Sequence, residues 1–269
     1  MIMKKIRLFT YLFFVLTFPL YAKLNVVVSI PPQVEFVKAI GQELVQVTCL
    51  LPPGASDELF EPTPDSLKAL SQAQLYVQVG TLAFEKHYAR TWQSLNPRMT
   101  MLNTSKGIQL MGQDPHVWMS LTNAKIQINA IYNALIAQDP SNQKKYLKNK
   151  TAYLQKLASI DQSLTKNLSQ HPGKPFLIFH PALGYFSRDY GLKQIGIEAE
   201  GKSPTPKQLQ QILMLAKKEK ITLILVEKQS SKELAKLIAD HIHGHIVVFD
   251  PLDEHYLKTL HLLMNELSK

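Results

Sequence analysis

The chain has 269 residues, 45% of them hydrophobic, with 30 basic against 21 acidic residues. That is enough length for one large or two ordinary domains and enough apolar content for a full core, which excludes a disordered or fibrous chain. A formal charge of +9 raises nucleic acid as a partner. Yet Lys144, Lys145, Lys148, Lys150, Lys217, Lys218 and Lys220 are scattered over what read as solvated helix faces, so no nucleic acid is expected. The single cysteine, Cys49, excludes an intrachain disulfide. It lies in the apolar run from Val45 to Leu51 and reads as a buried strand residue.

The amino terminus places Lys4, Lys5 and Arg7 ahead of an almost wholly apolar run from Leu8 to Leu20, then Tyr21-Ala22 at a cleavage point. This predicts a secretory signal peptide over residues 1–22, since the run is too short to cross a bilayer comfortably. The expectation is therefore a cleaved, exported, periplasmic protein with no lipid-bearing cysteine after the cleavage point. Without those three basic residues the remainder carries +6.

From Leu24 the pattern alternates. Leu24–Ser29 predicts a strand, and Pro31 opens a helix to about Gly41. Val45–Leu51 is a second strand, followed by a loop from Pro52 to Pro62. Thr63 caps a helix with Pro64 at its first position, running to about Ala73. Leu75–Val79 is a strand ended by Gly80, residues 82–95 a helix, and Met99–Asn103 a short strand. Such alternation implies parallel strands joined by crossover helices. Between Leu121 and Gln170 no strand is expected. Residues 121–137 have helical periodicity, and 142–169 place Tyr146, Tyr153, Leu154, Leu157, Ile160, Leu164 and Leu168 on one face. That second helix would be about 40 Å long.

Beyond His171-Pro-Gly173 the alternation resumes with strands at 176–179, 193–198, 222–226 and 245–249. Helices are expected at 182–190, 206–219, 231–241 and 254–267. The predicted fold class is α/β: two α/β lobes, residues 23–120 and 173–269, joined across 121–172 by a long rigid helix. The cleft between lobes is the expected ligand site.

Strand ends in open α/β sheets are where ligand-binding groups sit. Glu58 follows the second strand, His116 the fourth, His180 the first strand of the second lobe, and Asp250 its last. Two imidazoles and two carboxylates suit Zn2+, Mn2+ or Fe2+ and balance a divalent charge. Their separations of 58, 64 and 70 residues match no local metal motif.

The segments Pro53-Gly-Ala-Ser-Asp-Glu-Leu-Phe-Glu-Pro-Thr-Pro64, Asp114-Pro-His-Val-Trp118, Phe179-His-Pro-Ala-Leu-Gly-Tyr-Phe186 and Phe249-Asp-Pro-Leu252 together resemble the cluster 9 family. These are metal-binding solute-binding proteins of zinc and manganese ABC transporters. The resemblance runs in order over essentially the whole mature chain. It implies an exported, monomeric receptor that holds one divalent metal in the cleft and delivers it to an ABC transporter permease in the inner membrane. It also implies the ligands Glu58, His116, His180 and Asp250. The family normally has histidine where this chain has Glu58, which leaves Asp57, Glu61 or water as alternatives at that position. His180 resembles the zinc-type pattern, whereas two histidines with two carboxylates resemble the manganese-type inventory. Zinc binds such donors more tightly, so Zn2+ is the expected cargo, with Mn2+ or Fe2+ as alternatives.

The alternative of another class is an exported zinc hydrolase, with Glu58 as general base beside a metal-bound water. No His-Glu-x-x-His element or nucleophile elbow supports it. His241, His243 and His245 read as a histidine-rich turn. His87, His255 and His261 read as surface residues. Trp118, Tyr185 and Phe186 read as apolar walls able to orient the ligands.

Overall fold

The computed structural model describes residues 23–269 except Ala199, Glu200, Lys228, Gln229 and Ser231. The expected signal peptide lies outside the described residues. Two four-stranded sheets, all parallel, organise the chain. The first contains β1 (Leu24–Val28), β2 (Val45–Cys49), β3 (Leu75–Gln78) and β4 (Thr100–Asn103), in the order β2-β1-β3-β4. The second contains β5 (Pro175–Ile178), β6 (Lys193–Gly196), β7 (Leu223–Val226) and β8 (His245–Val248), in the order β6-β5-β7-β8. Each strand pair therefore needs a crossover, and helices supply it: α1 (Pro31–Gly41), α2 (Pro64–Gln72) and α3 (Ala83–Leu95) in the first half.

Helices α4 (Leu121–Gln138) and α5 (Gln143–Leu168) lie between the sheets in sequence. Then α6 (Gly184–Tyr190), α7 (Pro206–Lys218), α8 (Lys232–Ile242) and α9 (Tyr256–Leu267) complete the second half. Local chemistry sets several of these starts. Thr63 Oγ1 accepts from Ser66 N with Pro64 at the first turn, and Ser120 Oγ accepts from Asn123 N. Thr205 and Gln208 form a reciprocal cap behind Pro206.

The expected long helix is α5, 26 residues and so about 39 Å long. Its buried face contains Tyr146, Tyr153, Leu157, Ile160, Leu164 and Leu168 of the predicted set, with Leu154 partly buried beside them. It packs against α4, α1 and α9, so it is a member of the core. One continuous apolar core runs from Val26, Val28 and Phe36 of the first half through Leu157 and Leu164 to Phe176, Ile178 and Tyr256 of the second. The opposite face of the second sheet, with Leu177, Phe179 and Ile224, packs separately against Ala216 of α7 and Ile238 of α8. Alternate residues of β5 thus serve different cores, as period-2 geometry requires.

Several expected elements are shorter than their sequence pattern, two of them next to the cavity. The strand expected over 193–198 ends at Gly196, where a Cβ would lie 3.2 Å from both Glu198 O and Pro181 Cβ. The helix expected over 182–190 begins at Gly184, because His180 O takes the Ala182 N–H and holds a turn there. Among the described residues no helix is long and apolar enough to cross a membrane.

Candidate metal centre

His116 and His180 arrive at one point from the two halves of the chain. Their Nε2 atoms are 3.1 Å apart, and their rings, 5.0 Å between centroids, stand at 75°. His116 is reached from β4 through a loop fixed by Thr81 Oγ1, which donates to Pro115 O at 2.7 Å. His180 stands just past β5, whose ladder continues through Phe179 N to Leu225 O at 2.8 Å.

Each imidazole is held from behind. His116 Nδ1 lies 2.7 Å from Asp114 Oδ1, and the same oxygen accepts the His116 backbone N–H. His180 Nδ1 lies 2.9 Å from Glu198 Oε1. A carboxylate only accepts, so each Nδ1 carries a proton and the two Nε2 atoms face each other across the gap. At 3.1 Å the facing nitrogens can share a proton or hold a metal ion between them. Two nitrogens so spaced, each 2.0–2.1 Å from one zinc ion, subtend roughly 100° there, close to tetrahedral.

The histidines open into a cavity of about 200 Å³. It is lined by all four predicted residues, Glu58, His116, His180 and Asp250, and also by Asp57, Glu198 and Glu227. Among the described residues no lysine or arginine lines it, so five carboxylates share the space with two imidazoles. Burial, then the charge of Asp250, pushes the Glu227 carboxyl up to about 8, while His116 pulls it down. Burial of so much like charge without a cation is costly. Among the described residues no group of three or more His, Cys, Asp or Glu side chains has closed into a ready coordination shell. The imidazoles have met, and the carboxylates stand around them.

At the first position, Asp57 is buried and Glu58 exposed. The Glu58 carboxylate nonetheless reaches the second half, since a Cβ built on Gly201 would lie 2.8 Å from its Oε2. Glu61 takes a hydrogen bond from Tyr88 Oη and does not line the cavity. Asp250 accepts the Leu252 N–H at 2.8 Å. Trp118 is buried, packs its ring 5.2 Å from that of His116, and donates Nε1–H to Pro251 O at 2.9 Å. Tyr185 Oη accepts the Met111 N–H at 2.9 Å and lies 3.3 Å from Asp114 O, so this wall residue also props the His116 loop.

A neighbouring cleft of about 520 Å³ shares Asp250 and adds Cys49, Asp253, Glu254 and His255. Burial pushes the Cys49 thiol up to about 12, so it offers no thiolate. His87, His241, His243, His245, His255 and His261 are exposed, as expected.

Sequence reasoning missed Glu198 and Glu227 as members of the site and gave Asp114 no role of its own. Glu227 directly follows β7, so the strand-end rule that found His180 and Asp250 also points to it. Glu198 fell inside an expected strand and showed no such signal.

A two-sheet α/β architecture with facing imidazoles and carboxylates between its halves defines a bilobal solute-binding protein. Residues 26–269 match the family described as ZnuA, zinc-uptake complex component A, periplasmic. The chain belongs to this family. It is 29% identical over 258 residues to the high-affinity zinc uptake system protein ZnuA of Bacillus subtilis (strain 168), covering 86% of this chain and 79% of that protein. It is 27% identical over 271 residues to the manganese ABC transporter substrate-binding lipoprotein PsaA of Streptococcus pneumoniae, covering 88% and 86%. A crystal structure of ZnuA superimposes with a TM-score of 0.86 at 34% identity, covering 92% of this chain and 98% of that one.

Proposed function

We propose that this chain is the exported receptor of a zinc-uptake ABC transporter, capturing Zn2+ between its lobes and delivering it to a membrane permease. The observation that carries the proposal is the 3.1 Å meeting of two inward-facing Nε2 atoms, one from each half of the chain, each backed by a carboxylate. His116, His180 and Asp250 are three ligands in this reading. Glu58 is the fourth, because its carboxylate already spans the cleft to Gly201. Asp57, the buried neighbour, adds negative charge. The lobes correspond to residues 23–120 and 173–269, with 121–172 between them, and residues 1–22 are removed on export. In this reading the receptor works as a single chain and without catalysis.

Manganese is the second reading, favoured by the carboxylate-rich lining and by similarity to PsaA. The paired imidazoles favour zinc. Calorimetric titration of the metal-stripped mature chain separates the two. One zinc per chain, bound more tightly than manganese, is expected. Glu58→Ala should weaken zinc binding more than Asp57→Ala does. The reverse order would move the fourth ligand to Asp57, and binding of neither metal by the wild type would sink the receptor reading.

A further inference from the structure

The two histidines are held by different devices. Asp114 is two residues from His116 and locked to its backbone, so that couple is local. Glu198 is 18 residues from His180 and lies two residues past the end of β6. Its position is set by the sheet: beyond the end of β6, Ile197 N donates to Ile178 O at 2.8 Å and Glu198 N to Phe179 O at 3.1 Å. The ladder thus sets the Glu198 backbone beside the residue preceding His180. Both side chains are largely buried, 14% exposed for His180 and 17% for Glu198.

We infer that Glu198 is the positioning residue that holds His180 as a zinc-selective donor, a role that rests on the receptor reading. Free imidazole has two tautomers, and only the one protonated at Nδ1 offers Nε2 to a metal. Glu198 accepts the Nδ1–H, fixes that tautomer, orients the ring and raises the basicity of Nε2. Zinc draws much of its affinity from imidazole nitrogen, whereas manganese is better served by carboxylate and water oxygen. Loss of Glu198 therefore costs zinc more than manganese. With Glu198 in place, a carboxylate-rich cavity keeps its preference for zinc.

The test uses the full mature chain as wild type, Glu198→Ala and Glu198→Gln. Zinc and manganese affinities come from competition titration, and the His180 tautomer from two-bond ¹⁵N–¹H correlation spectra of the metal-free protein. Glu198→Ala should weaken zinc roughly 10–100-fold, weaken manganese less, and move His180 toward the Nε2-protonated tautomer. Glu198→Gln keeps an acceptor oxygen and should fall between; it carries the test if the alanine variant does not fold. An unchanged tautomer, or equal proportional losses for both metals, would overturn the inference. Should the wild type bind neither metal, the receptor reading falls, and the tautomer comparison still decides whether Glu198 sets His180.

Discussion

Glu85 is buried, 2% exposed, and spends its carboxylate on one turn. Oε1 accepts from Ser29 Oγ and from Val79 N at 2.7 Å, and Oε2 accepts from Gly80 N at 2.6 Å. Gly80 has φ +95°, and a Cβ there would lie 2.0 Å from Asn103 Oδ1, so only glycine fits. The next residue, Thr81, holds Pro115 and hence the approach to His116. Burial pushes the Glu85 carboxyl up from 4.5 to about 7, although Ser29 and the backbone donors pull it down. Because the folded value lies above the unfolded one, the folded state binds the proton more tightly. Glu85's contribution to stability is fully present below pH 4.5 and is lost as pH rises through about 7. The Glu85→Gln variant should lack this component. Urea unfolding at pH 5 and pH 7.5 should show a smaller loss of stability in the variant than in the wild type; parallel losses would contradict the assignment.

Among the elements, the short turn Val117–Met119 and the start of α9 tie the halves together. Trp118 donates to Pro251 O, and Tyr256 Oη donates to Trp118 O at 2.7 Å while its ring meets Phe36 edge-on at 4.9 Å. These bonds lie two residues from His116 and one from Asp250, so they brace both ligand-bearing segments. Tyr256→Phe leaves the Trp118 carbonyl without its donor in a buried place and should cost about 1–3 kcal/mol. Denaturant unfolding measures this, and a loss below about 0.5 kcal/mol would show the bond to be dispensable. None of this bracing was legible in the sequence, because it joins residues 133 and 138 positions apart. Local pattern did reveal the strands, the cap at Thr63 and the buried face of α5, but not the cap at Ser120. The strand-end rule found four cavity residues because that property is local too. Glu198 escaped because it lay inside a predicted strand and its pairing with His180 joins residues 18 positions apart.

At the scale of the whole molecule, the halves share one apolar core through α5 and α9. Among the described residues the cavity is lined by five carboxylates and two imidazoles. The central claim is that a zinc ion sits between His116 Nε2 and His180 Nε2, and X-ray absorption at the zinc edge, with one equivalent bound to the mature chain, tests it most directly. The spectrum should show two imidazole nitrogens at about 2.0–2.1 Å with oxygen completing the shell, and His180→Ala should remove one imidazole. A shell without imidazole, or one that His180→Ala leaves unchanged, would contradict the account.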